Sequence, residues 1–267
     1  MSAQTVSSAR TAQPKVSISG LNKSFGTVQA LSGIDLELYD NEFVSVVGAS
    51  GCGKSTLLSI IAGLMDLTNG SVAVDGREVD GPGRDRGVVF QGFSLLPWLT
   101  AQGNVEFALR NDPLTRTARA AVAREHLALV GLNGFENSFP NQLSGGMQQR
   151  VAIARSLSYK PKILLMDEPF GALDALTRRE MQGLLTSVWE QHKLTVMMIT
   201  HDIEEAIITS DRVIVMSRRP GRIRAELNVP LERPRQASMT NAPEYRELFD
   251  TILSMVHEPN PLDSTAN

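Results

Sequence analysis

The sequence contains a single cysteine, Cys52, among 267 residues. One cysteine excludes an intrachain disulfide framework and favours a reducing compartment. No apolar run approaches the roughly 18 residues that a membrane-spanning helix needs, and the N-terminus lacks the charged-then-apolar pattern of a secretory signal. The formal net charge is −3, so the protein has no overall positive field that would attract nucleic acid. These absences predict a cytoplasmic protein that does not bind nucleic acid.

What the sequence does contain is enough apolar material for a sizeable core, since 42% of its residues are hydrophobic. Residues 1–14 have almost no large apolar side chains and are predicted to be a disordered tail. The polar end, residues 258–267, is expected to fray. Residues 15–257 between them are predicted to form the folded domain.

Two kinds of strand pattern occur in this domain. Residues 16–19 and 34–38 alternate apolar and polar side chains, which predicts antiparallel strands with one wetted face. Residues 163–166 and 195–199 are continuous apolar runs, which are typical of parallel strands covered on both faces. The same reasoning predicts further strands over residues 72–76, 87–90, 212–216 and 222–229, and helices over residues 117–130, 181–191 and 243–256. The predicted fold is α/β, with a mainly parallel core sheet, an N-terminal antiparallel β layer and a helical insertion over residues 92–159.

The most informative stretch runs from Gly48 to Thr56, between an apolar strand and an apolar helical segment. It fits GxxxxGK[ST], in which glycines let backbone N–H groups turn toward a phosphate. Lys54 is expected to contact the β and γ phosphates, and the Ser55 hydroxyl to bind Mg²⁺. A flexible turn would not require this strand, spacing, Lys-Ser pair and helix together. The predicted nucleotide-binding residues are Gly48, Ala49, Ser50, Gly51, Cys52, Gly53, Lys54, Ser55 and Thr56.

A second candidate site follows the apolar run at residues 163–166, where Asp167 and Glu168 stand together. Adjacent strand residues point to different sides, so the two carboxylates can take separate tasks. Asp167 is predicted to hold Mg²⁺ through water, and Glu168 to activate the water that attacks the nucleotide. Alone, two neighbouring acids are more commonly a solvated strand end, but the preceding apolar run and the phosphate loop favour the functional interpretation.

Residues 143–150 read Leu-Ser-Gly-Gly-Met-Gln-Gln-Arg, and this stretch resembles the signature motif of ATP-binding-cassette (ABC) ATPases. Alone, Ser-Gly-Gly would be interpreted as a linker. In that family, the residues matching Ser144, Gly145 and Gly146 bind the ATP of the partner subunit. The resemblance therefore implies a head-to-tail dimer of two copies that encloses ATP and Mg²⁺.

Four further positions match the same family. Gln91 resembles the glutamine that senses the γ-phosphate and the metal, and Asp174 lies in a loop that crosses the dimer interface. His201 resembles the switch histidine beside the γ-phosphate, although a histidine after a strand is more often structural. Phe25 resembles the aromatic residue that stacks on adenine, with a core phenylalanine as the alternative. The resemblance thus makes Glu168, His201, Gln91 and Lys54 the expected catalytic residues, and Ser55, Gln91 and Asp167 the expected metal ligands.

Further short sequence features narrow the resemblance to one group of ABC ATPases. The stretch Leu95-Leu96-Pro97-Trp98, with Asn104-Val105 and the later Arg219-Pro220-Gly221-Arg222-Ile223, is similar to the ATPase subunits of nitrate, sulfonate and taurine importers. This implies transmembrane permease partners, an extracytoplasmic solute-binding protein acting indirectly, and a peripheral location on the cytoplasmic face of the cell membrane. The apolar stretch could seat a permease helix or pack internally. A soluble ABC ATPase that takes no part in transport is the alternative function.

Overall fold

The computed structural model of the protein describes residues 13–235 and 237–257, so the predicted tails fall almost entirely outside the described residues. The chain divides into two compact units. The first contains the described residues up to Pro82 and those from Ile199 onward, and the second is Gly83–Met198. The predicted helical insertion, residues 92–159, lies within the second unit.

The first unit begins with an antiparallel layer. The elements in this first part of the unit are β1 (Val16–Phe25), β2 (Val28–Leu38), β3 (Phe43–Gly48), α1 (Lys54–Ile61), β4 (Asn69–Val74) and β5 (Arg77–Glu78). Four of these strands form a sheet in the order β2-β1-β4-β5. Along β2, buried Ile34, Leu36 and Leu38 alternate with exposed residues. The predicted layer with one wetted face is therefore confirmed.

The second unit combines parallel strands with helices. Its elements are β6 (Arg86–Val89), α2 (Ala101–Ala108), α3 (Arg116–Leu129), α4 (Gly145–Leu157), β7 (Ile163–Asp167), α5 (Ala175–His192) and all but the last residue of β8 (Thr195–Ile199), with a short 3-10 helix at Pro140–Gln142. Strands β6 and β7 pair in parallel, from Arg86 opposite Ile163 to Val89 opposite Met166. Residues 163–166 of β7 and all of β8 are buried, as their continuous apolar sequences predict.

Two boundaries in the second unit differ from the prediction. The strand expected over residues 87–90 ends at Val89, and Phe90 is exposed because pairing with β7 stops there. Helix α5 begins at Ala175 rather than residue 181, since Asp174 caps it there. Its first turn exposes Leu176 and offers no buried apolar pattern, so hydrophobic periodicity did not predict this start. The helices α2 and α6 (Ile203–Thr209) were not predicted, since each is only two turns long.

The first unit is completed by the end of the chain. Strand β9 (Arg212–Met216) pairs in parallel with β3, and β10 (Ile223–Asn228) pairs antiparallel with β9. Helix α7 (Pro243–His257) packs its buried face, including Leu248 and Ile252, in one cluster with Ile207 and Val215. The parallel pairs β3–β9 and β6–β7 and the antiparallel layer confirm the predicted α/β fold. Within the described ranges, no helix is both long and apolar enough to cross a membrane.

Candidate nucleotide-binding site

The phosphate loop connects β3 to α1 as the sequence predicts. All six residues of β3 are buried, and α1 begins at Lys54. An added methyl group at Gly48 would lie 2.9 Å from the Met216 carbonyl oxygen, and one at Gly53 would lie 2.7 Å from Leu31 Cδ2. Gly53 also has φ of 103°, which disfavours a side chain. Both glycines are therefore required by the close packing around the loop.

Lys54 is buried, with 6% of its surface exposed. Its ammonium donates hydrogen bonds to the carbonyl oxygens of Gly48 at 2.8 Å and Ala49 at 3.1 Å. No carboxylate pairs with it in the described part of the chain. A buried cation held only by neutral groups is costly, and an anion would stabilise it. The site therefore fits a phosphate group. The Sγ of Cys52, a buried residue, lies 3.8 Å from the same ammonium.

Phe25 ends β1 at the rim of the first unit. Its side chain is 49% exposed, which excludes the core alternative, and the Lys23 ammonium lies 5.0 Å from the ring centroid. A half-exposed ring has a face available for stacking on a base.

His201 follows β8, and the first unit holds its neighbours firmly. The Thr200 amide donates to the Val46 carbonyl on β3, two residues before the phosphate loop begins. The Thr200 hydroxyl donates to the buried Glu205 carboxylate at 2.6 Å, and accepts a hydrogen bond from the Asp202 amide. His201 itself is exposed. The first unit therefore brings the segment containing His201 beside the strand that leads into the phosphate loop.

The second unit brings together Gln91, Asp167 and Glu168. Asp167 is the last residue of β7, and Glu168 follows it with φ of 44°. A positive φ is uncommon for a residue with a side chain and persists where the surrounding structure imposes it. Gln91 Nε2 donates a hydrogen bond of 3.1 Å to Glu168 Oε2. The expected γ-phosphate sensor and the expected general base are thus in direct contact.

The signature motif begins helix α4. Ser144 is its N-cap, and the serine hydroxyl accepts the amide of Met147 at 3.3 Å. A methyl group added at Gly146 would overlap Thr177 Cγ2 on α5, so this glycine allows the two helices to approach. Ser144 therefore presents its hydroxyl at a helix N-terminus, a position that favours anions.

Asp174 has a structural role that was not predicted. It is the N-cap of α5, and its carboxylate accepts the amides of Leu176 and Thr177 at 3.1 Å and the Thr177 hydroxyl at 2.7 Å. These hydrogen bonds, first of all the one from the Thr177 hydroxyl, lower the pKa of Asp174. The same threonine packs on Gly146, so the expected interface loop and the signature helix are connected through Thr177.

Two residues that organise the segment after Gln91 were not identified as functional from sequence. Arg155 on α4 donates to the carbonyl oxygens of Ser94 at 2.7 Å and Phe93 at 3.3 Å. Burial lowers the pKa of the Arg155 guanidinium. Asn104 on α2 is fully buried, and its side-chain amide forms hydrogen bonds with the backbone of the loop that contains Trp98. From sequence, Asn104 is noted only as a feature shared with importer ATPases, and an asparagine inside a helix is the signal that could have indicated its anchoring role.

A buried lysine in a glycine loop between strand and helix defines the phosphate-binding site of a P-loop nucleotide hydrolase. A family model described as ABC transporter matches residues 31–171. The nitrate import ATP-binding protein of Synechocystis sp. is 47% identical over 249 residues, covering 90% of this chain and 94% of that protein. The taurine import ATP-binding protein of Rhizobium johnstonii is 48% identical over 245 residues, with coverages of 90% and 94%.

A solved structure of a dimeric ATP-binding cassette, in a post-hydrolysis state with ADP and Pi, has a TM-score of 0.72 and 37% identity. The match covers 81% of this chain and all of the other. The chain therefore belongs to the ABC transporter family, and it is an ATP-binding, ATP-hydrolysing subunit. The resemblance seen in the signature motif is confirmed.

Proposed function

We propose that this chain is the ATPase subunit of an importer, in which ATP binding and hydrolysis drive the uptake of a small anionic solute such as nitrate, a sulfonate or taurine. The observation that carries this proposal is the similarity to two import ATPases, which extends over nine-tenths of the chain. Their nearly equal identity, to a nitrate and a taurine system, supports selection of the solute by other proteins of the transporter. We propose that a solute-binding protein and the permease select it.

The phosphate loop, residues 48–56, would hold ATP, with the Lys54 ammonium moving from its carbonyl partners to the β and γ phosphates. Ser55, Gln91 and Asp167 would bind Mg²⁺ through oxygen atoms, which are the ligands that this ion prefers. The Gln91 amide nitrogen donates a hydrogen bond to Glu168, so the amide oxygen is the atom that fits a metal. When bound, Mg²⁺ would neutralise charge on the β and γ phosphates.

Glu168 would accept a proton from the attacking water, as a general base beside the γ-phosphate. The hydrogen bond from Gln91 orients this carboxylate, so a shift of Gln91 would also reorient the base. His201 would contact the γ-phosphate, and its position is supported by the Thr200 bonds to β3 and Glu205. Phe25 would stack on the adenine ring.

A second copy of this chain would complete each site. Ser144, Gly145 and Gly146 of one copy would bind the γ-phosphate held by the phosphate loop of the other, through the Ser144 hydroxyl and the start of α4. Asp174 would cross the interface, held by its cap on α5. Dimerisation is supported by the dimeric solved cassette.

The loop after Gln91 would contact the permease. Trp98 is 69% exposed, so the alternative of internal packing does not hold for this side chain. A large exposed aromatic ring on a rigidly anchored loop suits the docking of a membrane subunit. The chain would then lie on the cytoplasmic face of the membrane through its permease.

The first experiment replaces the general base. Glu168→Gln should bind ATP and Mg²⁺, lose hydrolysis, and elute as a dimer in size-exclusion chromatography with both present. Lys54→Ala is the control and should remain a monomer, because the loop then lacks its cation. A Glu168→Gln protein that hydrolyses ATP rapidly, or that stays monomeric with ATP even beside its permease, would contradict the assignment.

The importer role is tested by solute uptake in a strain lacking the gene. Reintroducing the wild-type chain should restore uptake of nitrate, taurine or another sulfonate, whereas Glu168→Gln should not. If wild type and Glu168→Gln support equal uptake of all of these solutes, the proposed coupling to anion import is wrong.

A further inference from the structure

The turn between β9 and β10, residues 217–222, lies directly against the phosphate loop. It contains the Arg219-Pro220-Gly221-Arg222 sequence, to which the ATPase reaction assigns no role. Gly221 is buried, although the arginines on either side of it are exposed. The turn therefore presents its glycine inward and its charged side chains outward.

Both the backbone amide and the backbone carbonyl of Gly221 are hydrogen-bonded to β2. Its amide donates to the Ala30 carbonyl at 2.8 Å, and its carbonyl accepts the Ser32 amide at 3.0 Å. Gly221 thus forms an isolated parallel bridge with Leu31. The turn is fixed to the strand that follows the expected adenine-stacking residue, Phe25.

The opposite side of Gly221 faces the phosphate loop. A methyl group added there would lie well inside contact distance of the Cys52 carbonyl oxygen. It would also lie 2.9 Å from Met216 Cε and 3.1 Å from Leu31 Cδ2. The two side chains could move, but the Cys52 carbonyl belongs to the loop backbone and can yield only if the loop moves.

Leu31 contacts the same region from β2. Its Cδ2 atom lies where a side chain on Gly53 would have to go, and Leu31 is fully buried. The loop backbone at Cys52 and Gly53 is thus packed against both β2 and the β9–β10 turn. This packing involves the residues just before Lys54, whose ammonium and amide are expected to contact phosphate.

The turn has its own internal support. The Ser217 amide donates to the Arg222 carbonyl at 2.9 Å, and the Ser217 hydroxyl accepts the Arg222 amide at 3.1 Å. The hydroxyl also lies 3.1 Å from the Arg218 carbonyl oxygen, to which it donates. Ser217 is buried, so these bonds hold the turn closed in a water-poor setting.

We infer that Gly221 is a positioning residue for ATP binding: it fixes the β9–β10 turn between β2 and the phosphate loop and thereby sets the position of the loop backbone at Cys52 and Gly53. The inference rests on the proposed role of the phosphate loop in holding ATP. It assigns no chemical step to Gly221, which acts only through the loop.

The test compares Gly221→Ala with Gly183→Ala in the full chain. Gly183 lies on α5 with no atom within 4 Å of an added methyl group, so it is a matched control. Gly221→Ala should raise the Kd for Mg-ATP about tenfold or more, because the loop must move to admit the methyl group. The KM for ATP should rise in parallel, with kcat at saturating ATP changed by less than about twofold. Gly183→Ala should match the wild type in all three.

Ser217→Ala provides a second variant, which loosens the turn without adding an atom. It should weaken ATP binding in the same direction by roughly threefold to tenfold, since one or two hydrogen bonds are lost. If Gly221→Ala does not fold, the Ser217→Ala measurement decides. If the folded variants lose thermal stability but bind ATP with wild-type affinity, the turn is only structural and the inference is wrong.

Lys54→Ala separates this inference from the proposed function. If Lys54→Ala binds ATP normally, the phosphate-loop assignment itself fails. If Lys54→Ala loses ATP binding while Gly221→Ala and Ser217→Ala retain it, only the role of the turn is overturned.

Discussion

Replacing Asn104 should release the loop that contains Trp98. Asn104 is fully buried on α2, and its Oδ1 accepts the Leu96 amide at 2.8 Å. Its amide nitrogen lies 3.2, 3.1 and 3.0 Å from the carbonyl oxygens of Leu96, Leu99 and Thr100. One side chain therefore holds both ends of the loop, and Asn104→Ala removes all of these bonds together.

The magnitude follows from these contacts. The two amide hydrogens and the carbonyl oxygen of Asn104 make about three effective bonds, each contributing about 1 kcal/mol net. Asn104→Ala should therefore destabilise the protein by about 2–3 kcal/mol. For a chain of this size the thermal midpoint should fall by roughly 5–10 °C. Asn104→Asp should not rescue it, because a carboxylate would face three carbonyl oxygens.

The assay uses the tryptophans. Trp98 is 69% exposed and Trp189 only 8%, so a Trp189→Phe background leaves Trp98 as the fluorescent reporter of the loop. Asn104→Ala should lower the Trp98 anisotropy as well as the thermal midpoint. Asn111, which is exposed, gives the matched control Asn111→Ala and should change neither. If Asn104→Ala has the same thermal midpoint as Asn111→Ala and the Trp98 anisotropy is unchanged, Asn104 does not anchor the loop.

The remaining predictions concern the signature helix and the C-terminal helix. Ser144→Ala removes the N-cap of α4 and should cost about 1 kcal/mol of stability. Ser144→Asp should keep the cap but place a carboxylate at the expected phosphate position, so that the thermal midpoint is retained and ATP-dependent dimerisation is lost; normal dimerisation would refute the role of Ser144. Burial, with help from Glu204 and Asp202, raises the pKa of Tyr245 above its ordinary value of 10.0. The unfolded chain therefore releases this proton near pH 10 while the folded chain keeps it, so stability falls as pH rises above 10. Tyr245→Phe should lose less unfolding free energy between pH 9 and pH 11 in urea titrations, and an equal loss would contradict this account.

The strands are the elements that hydrophobic periodicity predicts best. The alternation in residues 34–38 and the continuous apolar runs in β7 and β8 are consequences of which faces are covered, so they predicted both the antiparallel layer and the buried parallel strands. The starts of helices are harder to predict than the strands. Helix α5, capped by Asp174, begins six residues before the predicted start, and its exposed first turn carries no apolar signal.

The sequence by itself determined the phosphate loop, the acidic pair and the signature motif, because each is a short run whose chemistry depends on adjacent residues. The tertiary structure alone decided that Gln91 contacts Glu168, that Asn104 holds the Trp98 loop, and that Gly221 packs on Cys52. The Gln91–Glu168 and Gly221–Cys52 contacts join residues far apart in the chain, whereas Asn104 reaches back four to eight residues. Which of them meet depends on how the elements pack, and close packing leaves no mark on the local sequence beyond a glycine or a buried polar residue.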